Sequence, residues 1–174
     1  MTDSDIAWQD LALGIGEDNL ILDGVIELER MVLTMFTLAQ RSVLVRAHRF
    51  EWPIFHTEEL DEQIKRIITS EMTNRILFLI EDEQFFMQNN TRLLAQCRQH
   101  SSYVKIRTLA AEYREPVEFF MVVDNIAFLH QARTDVSYGV ANLNAAGRAR
   151  TLSRQFNEAW ERSEPPAELF RLGL

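Results

Sequence analysis

The chain has 174 residues, of which 47% are hydrophobic, and this length and apolar content fit one globular domain with a substantial core. A net charge of −8 at pH 7 disfavours nucleic-acid binding, which usually needs a basic face. Because Cys97 is the only cysteine in the sequence, an internal disulfide is excluded. No apolar run approaches the roughly 18–20 residues of a membrane helix, and the first ten residues lack a cationic signal segment. We therefore expect a cytoplasmic protein without a membrane span.

Strand-like and helix-like segments alternate along the chain. An acidic, glycine-containing stretch over residues 1–18 predicts a loose arm, followed by one α/β domain over residues 19–174. In chain order, the predicted elements are strand 20–22, helix 23–40, strand 42–47, loop 48–56, a helix capped by Thr57, strand 75–80, helix 83–99, strand 103–108, strands 119–123 and 126–129, and helix 144–162.

Two segments indicate how the sheet is built. The run RILFLI over residues 75–80 is nearly all apolar, which is typical of a central parallel strand covered on both faces. Asp124 and Asn125 separate two apolar strands and predict a β-hairpin, whereas the polar stretch 131–142 predicts no strand. We therefore expect a mixed, mostly parallel sheet with helices on both faces, a C-terminal β-hairpin and a long closing helix.

The segment PVEFFMVVDNIAFL over residues 116–129, with the aromatic closing helix around Phe156 and Trp160, resembles one half of a phospholipase D-like enzyme. In catalytic members of that superfamily the matching run reads His-x-Lys, four residues, then Asp, and here Asp124 matches the Asp. The resemblance implies the superfamily's α/β fold and pairing of two such domains around a shared site, hence a homodimer.

The catalytic pair of that superfamily is missing from the sequence. Counting back from Asp124, Val117 stands at the His position and Phe119 at the Lys position, and neither side chain can attack phosphorus or stabilise a phosphate charge. Because Gln63 and Tyr103 precede the chain's two lysines by two positions, no His-x-Lys occurs in any register. We therefore expect a non-catalytic domain.

Other motifs do not indicate a cofactor or a metal. The four histidines, which are His48, His56, His100 and His130, lack zinc-hydrolase spacing, and no phosphate loop or nucleophile elbow is present. The acidic run 81–83 follows a buried strand and either binds a cation or caps the next helix. Cys97 lies on the apolar side of a predicted helix as core filler.

Arginines indicate where an anion would bind. Four of them follow or end predicted strands and are expected at one carboxyl edge of the sheet: Arg46, Arg49, Arg107 and Arg114. Such an edge would recognise a phosphate-containing ligand without hydrolysing it. Alternatively, these arginines pair with nearby acids, which are Glu51, Glu112, Glu115 and Glu118.

Three functional hypotheses follow. The first is a non-catalytic binding or regulatory module that binds either a phosphate-containing ligand or a protein partner. The second is a diverged hydrolase or phosphotransfer enzyme that uses Asp124, His130 and the arginines at the same edge. The third is an accessory domain of an acetyltransferase-type enzyme, although no acetyl-CoA motif is visible. The aromatic loop around Phe50, Trp52 and Phe55 either packs internally or forms a partner surface.

Overall fold

The computed structural model describes residues 6–171, which form seven strands in one open sheet and five α-helices. The strands are β1 (Leu20–Asp23), β2 (Ser42–Ala47), β3 (Arg75–Ile80), β4 (Val104–Thr108), β5 (Phe119–Val123), β6 (Ala127–Gln131) and β7 (Tyr138–Asn142). The helices are α1 (Val25–Leu38), α2 (Glu58–Ser70), α3 (Glu83–Asn89), α4 (Thr91–Gln99) and α5 (Ala146–Arg162). None of the helices within residues 6–171 combines the length and apolar content needed to cross a bilayer.

The sheet has the order β1-β7-β6-β5-β2-β3-β4. The predicted mixed α/β sheet is confirmed, but its predicted mostly parallel character is wrong. Only β2–β3 and β3–β4 are parallel, and the other four neighbouring pairs are antiparallel. The difference arises because β5 returns antiparallel to β2, and because β7, inserted between β1 and β6, was not predicted.

Strand β7 escaped prediction because a polar stretch precedes it and a glycine interrupts it. It contains Gly139, a residue that is depleted in strands, within an otherwise polar stretch. The structure explains the glycine, since a Cβ there would lie 2.7 Å from Leu28 Cδ2 and 3.3 Å from the His130 carbonyl oxygen. Close approach of α1 to the sheet therefore requires a residue without a side chain.

Helices cover both faces of the sheet, as predicted. One face packs against α1, α2 and α4, and the other against α5. Strand β3 contributes to both cores, because Ile76 and Phe78 face the first and Leu77 and Leu79 the second. Cys97 is buried in the first core, and burial raises the pKa of its thiol to about 12, in keeping with its predicted role as core filler.

The predicted hairpin is confirmed at Asp124 and Asn125. Both residues have positive φ, 52° and 57°, and the Ile126 N–H donates to the Val123 carbonyl at 3.0 Å. Asn and Asp adopt this left-handed region more readily than other residues with side chains, which is why the pair marks the turn.

The predicted helix 83–99 is divided in two, which corrects that prediction. Asn90 leaves helical geometry, with φ −97° and ψ 56°, between α3 and α4. Its buried amide Nδ2 donates to the Phe50 carbonyl at 2.8 Å. The break therefore lets Asn90 donate to a backbone carbonyl of the loop before α2. This partner lies 40 positions away in the sequence, so no local pattern reveals it.

The loop aromatics pack inside the molecule. Phe50 and Phe55 are buried and meet edge to face with ring centroids 4.9 Å apart. Short 3₁₀ helices lie at Trp8–Asp10, Pro53–His56 and Ala111–Tyr113. In the predicted arm, Ile6, Trp8, Leu11 and Leu13 are partly buried against the first core, and residues 1–5 lie outside the described range.

Candidate functional site

A continuous chain of polar contacts crosses the α5 face of the sheet where β2 ends. In order, it links His48, Glu81, Arg46, Glu118, His130 and Arg148, and we call it the ion-pair chain. Sheet register builds its centre, because Arg46 pairs with Phe120 across β2 and β5, and Phe120 pairs with His130 across β5 and β6. Arg46 and His130 therefore lie in one row, and Glu118 joins them.

Arg46 is the buried centre of the ion-pair chain, with a side chain only 9% exposed. Its Nη1 donates to Glu118 Oε1 at 3.1 Å, and its Nη2 donates to the carbonyl oxygens of Tyr113 at 2.7 Å and Pro116 at 3.0 Å. Glu81 Oε1 lies 3.7 Å from Nη2. Because its terminal nitrogens are bonded within the protein, Arg46 holds the 113–118 loop against β2.

His130 links Glu118 to α5. Its Nε2 lies 2.7 Å from Glu118 Oε2, and its Nδ1 lies 3.3 Å from Arg148 Nη2. Since an arginine can only donate, the contact with Arg148 has Nδ1 as acceptor, and Nε2 then donates to Glu118. Both ring nitrogens are thereby engaged.

Glu118 is held ionised by its neighbours. Burial acts to raise the pKa of this carboxyl, but the hydrogen bond from His130 and the positive charge of Arg46 outweigh it. The net result is a pKa below the ordinary value of 4.5.

Asp124 lies at the other end of β2 and has a structural role. Its Oδ1 accepts the N–H groups of Arg41 at 2.8 Å and Ser42 at 2.7 Å, and its Oδ2 accepts that of Gln40 at 2.9 Å. Ser42 and Arg46 are four positions apart, roughly 13 Å along a strand at about 3.3 Å per residue. The structure therefore does not bring Asp124 together with Arg46 and His130.

The other predicted arginines each contact a different partner. Arg49 Nε donates to Asp82 Oδ2 at 2.7 Å, and Arg114 Nε donates to the Leu109 carbonyl at 3.2 Å. Arg107 Nη1 donates to the Trp160 carbonyl at 2.7 Å, with its guanidinium 4.5 Å above the Trp160 ring. No partner atom is shared between Arg46 and these three, and the predicted pairing with acids holds for Arg46 and Glu118.

The acidic run 81–83 has three different roles. Asp82 Oδ1 accepts the Phe85 N–H at 2.9 Å and caps α3, and this backbone hydrogen bond lowers the pKa of Asp82. Glu81 Oε2 lies 2.8 Å from His48 Nδ1, and Glu83 Oε2 accepts the Thr108 hydroxyl at 2.7 Å. Among residues 6–171, no three His, Cys, Asp or Glu side chains are grouped so as to hold a metal ion.

Aromatic packing occupies the position that matches the superfamily's catalytic lysine. Phe119 is only 3% exposed, and its ring centroid lies 4.9 Å from that of Trp52. Gln131, at the end of β6, donates through Nε2 to the Val136 carbonyl at 2.7 Å. The cavity lined by Trp52, Phe119 and Gln131 has about 70 Å³, well below the roughly 300–1,000 Å³ typical of ligand pockets.

Two cationic residues that the sequence analysis missed lie beside Arg107. Arg75 begins β3, Lys105 lies on β4, and both line the same cleft as Arg107. A signal for them existed in the alternating run VKIRT, which places Lys105 and Arg107 on one face of a strand. Arg75 and Lys105 lie near the amino ends of β3 and β4, away from the carboxyl edge where the sequence predicts an anion site.

A family and a fold emerge from comparison with known proteins. A family model described as a domain of unknown function, DUF7931, matches residues 26–172. No curated protein matches the sequence.

Two solved structures share the fold at 12% identity. TrmBL2, an archaeal chromatin protein whose structure shows a novel mode of DNA binding, aligns with a TM-score of 0.63 over 86% of this chain and 54% of its own. Phosphatidylserine synthase from Haemophilus influenzae Rd KW20 aligns with a TM-score of 0.61 over 90% of this chain and 41% of its own. The chain thus spans about half or less of either protein.

Proposed function

The chain belongs to the DUF7931 family, a domain of unknown function, and we propose that it is a non-catalytic phospholipase D-like domain that acts as a cytoplasmic binding or regulatory module. The likeness to a phosphatidylserine synthase supports the phospholipase D-like part of the proposal at the level of the fold. The observation that carries the non-catalytic part is the replacement of the catalytic pair by Val117 and Phe119, with Phe119 packed beneath Trp52.

The alternative of a diverged enzyme has weaker support from the geometry. Both Asp124 oxygens accept backbone N–H groups, so its carboxylate is already occupied. His130 has one ring nitrogen on Glu118 and the other near Arg148, so a substrate would have to displace one of them before His130 could act as a base. A binding role requires neither rearrangement.

A phosphodiesterase assay tests the proposal. The purified chain is expected to hydrolyse bis(p-nitrophenyl) phosphate no faster than buffer, with or without added divalent cations, because no imidazole and amine are paired for the reaction. His130→Gln is the matched variant for the alternative enzyme. Turnover by the parent that His130→Gln abolishes, while its thermal unfolding stays cooperative, would contradict a non-catalytic role.

We further propose that two copies associate, as the phospholipase D resemblance implies. The edge strand β1 supports this, because it presents the exposed Ile21 next to β7, whose Tyr138 is also exposed. Light scattering at micromolar concentration is expected to give twice the 20.3 kDa chain mass, and Ile21→Lys is expected to return it to the mass of one chain. A parent mass of 20.3 kDa at every concentration rules the homodimer out.

A further inference from the structure

A cleft on the α5 face of the sheet concentrates positive charge in an acidic protein. It begins at the amino ends of the adjacent parallel strands β3 and β4, extends along β4 to Arg107, and has a volume of about 210 Å³. Its polar and charged lining includes Thr73, Arg75, Ser102, Lys105 and Arg107, with Trp160 of α5 at one side. We call it the basic cleft.

Sheet register places the three cations on one face of the sheet. Lys105 pairs with Leu77 and Arg107 with Leu79 across β3 and β4. Leu77 and Leu79 pack in the α5-side core, and residues two apart on a strand share a face, so Arg75, Lys105 and Arg107 all belong to that face. Because α5 reaches this end of the sheet with Trp160, the cations line a concave surface rather than a flat one.

Charge balance in the basic cleft is opposite to that of the chain. The sequence has 26 Asp and Glu against 18 Lys and Arg, yet no residue lining the cleft is acidic. Within residues 6–171, the side chains of Arg75 and Lys105 form no ion pair or hydrogen bond, and Arg107 uses only Nη1, on the Trp160 carbonyl. Three like charges thus share one surface whose lining within residues 6–171 contains no acid, and an anion bound there would reduce the repulsion between them.

The hydroxyls in the basic cleft add neutral donors to the charged ones. Thr73 and Ser102 make no side-chain hydrogen bond within the described part of the chain. An arginine fork, an ammonium group and two hydroxyls form a donor set that matches several oxygens of one anion. The volume is below that of a pocket for drug-sized ligands and suits a compact anion.

We propose that the basic cleft binds a small phosphate-type anion, either a phosphate or a diphosphate group, through Arg75, Lys105 and Arg107. The inference rests on the proposed function, since it names the ligand class of the binding module. It also moves the anion site from the carboxyl edge of the sheet to the amino edge, where Arg107 has different companions from those that the sequence predicted.

Pyrophosphate titration followed by calorimetry tests the inference. The parent is expected to bind pyrophosphate saturably at constant chloride concentration, and the double variant Arg75→Gln/Lys105→Gln to bind roughly a hundredfold more weakly, about tenfold for each charged donor lost. Because both side chains are exposed and have no partner within residues 6–171, this variant is expected to unfold at the parent's temperature.

A matched control separates the site from general electrostatics. Lys65→Gln/Arg154→Gln removes the same two charges from exposed side chains outside the cleft and is expected to bind pyrophosphate like the parent. Equal weakening in both double variants, or no saturable binding by the parent, would overturn the inference. Preference of the parent for DNA oligonucleotides over pyrophosphate, lost in Arg75→Gln/Lys105→Gln, would also overturn it in favour of a nucleic acid.

The two proposals fail in different ways. If the parent hydrolyses a phosphodiester and its cleft also binds pyrophosphate, the non-catalytic function is contradicted, but the proposed ligand class of the cleft stands. If the parent neither hydrolyses a phosphodiester nor binds pyrophosphate, the non-catalytic function stands, and the proposal that the basic cleft is an anion site is contradicted.

Discussion

Arg46→Met is expected to destabilise the fold by about 3–5 kcal/mol, the cost of removing one partner from a buried ion pair. Methionine fills much of the volume, but Glu118 and Glu81 would lose the cation between them, and the carbonyls of Tyr113 and Pro116 would lose their donor. Urea unfolding followed by circular dichroism measures the change in the free energy of unfolding.

The control for Arg46 is Arg154, whose side chain has no partner among residues 6–171. Arg154→Met on the exposed face of α5 is expected to change stability by no more than about 0.5 kcal/mol. Arg46→Met/Glu118→Gln should be less destabilised than the sum of its single variants, by about 1–3 kcal/mol, because the second change removes the uncompensated charge. Additive single variants would show that Arg46 acts through packing rather than through the ion-pair chain.

Acid should weaken the same interaction. The folded-state pKa of Glu118 is lowered, so its contribution to stability is fully present above its ordinary pKa of 4.5 and is lost as the pH falls through the lowered folded value. The stability advantage of the parent over Glu118→Gln is therefore expected to shrink as the pH falls below 4.5. If the stability advantage of the parent over Glu118→Gln grew as the pH fell below 4.5, the pKa of Glu118 would not be lowered by folding.

Asp124→Ala is expected to destabilise the fold by about 3 kcal/mol, or roughly 6–12 °C in melting temperature for a chain of this size. The substitution leaves three backbone N–H groups, of Gln40, Arg41 and Ser42, without their acceptor. It also places alanine at φ 52°, a left-handed conformation that costs alanine roughly 1 kcal/mol. Thermal unfolding measures the sum of both effects.

Two further substitutions at Asp124 separate the hydrogen bonds from the backbone. Asp124→Gly loses the carboxylate but adopts positive φ freely, so it should be about 1 kcal/mol more stable than Asp124→Ala. Asp124→Asn keeps one acceptor oxygen and tolerates the turn, and it should lose about half as much as alanine. If all three variants unfold at the parent's temperature, the carboxylate does not anchor the turn.

The sequence alone determined the elements whose signal is local. Alternating apolar periods located most strands and helices, the apolar run at β3 indicated burial on both faces, and Asp124-Asn125 indicated the hairpin, because each depends on neighbouring residues. The absence of His-x-Lys is likewise a property of the sequence alone.

Only the tertiary structure decided what depends on distant residues. It made most strand pairs antiparallel and ended α3 at Asn90, whose partner Phe50 lies 40 positions away. It bonded Arg46 to a loop about 70 positions downstream, and it placed Arg75 and Lys105 in a cleft that no acidic residue lines within the described part of the chain. Local patterns indicate on which face of the sheet a side chain lies. Which charged side chains lie next to it on that face depends on the order of the strands in the sheet.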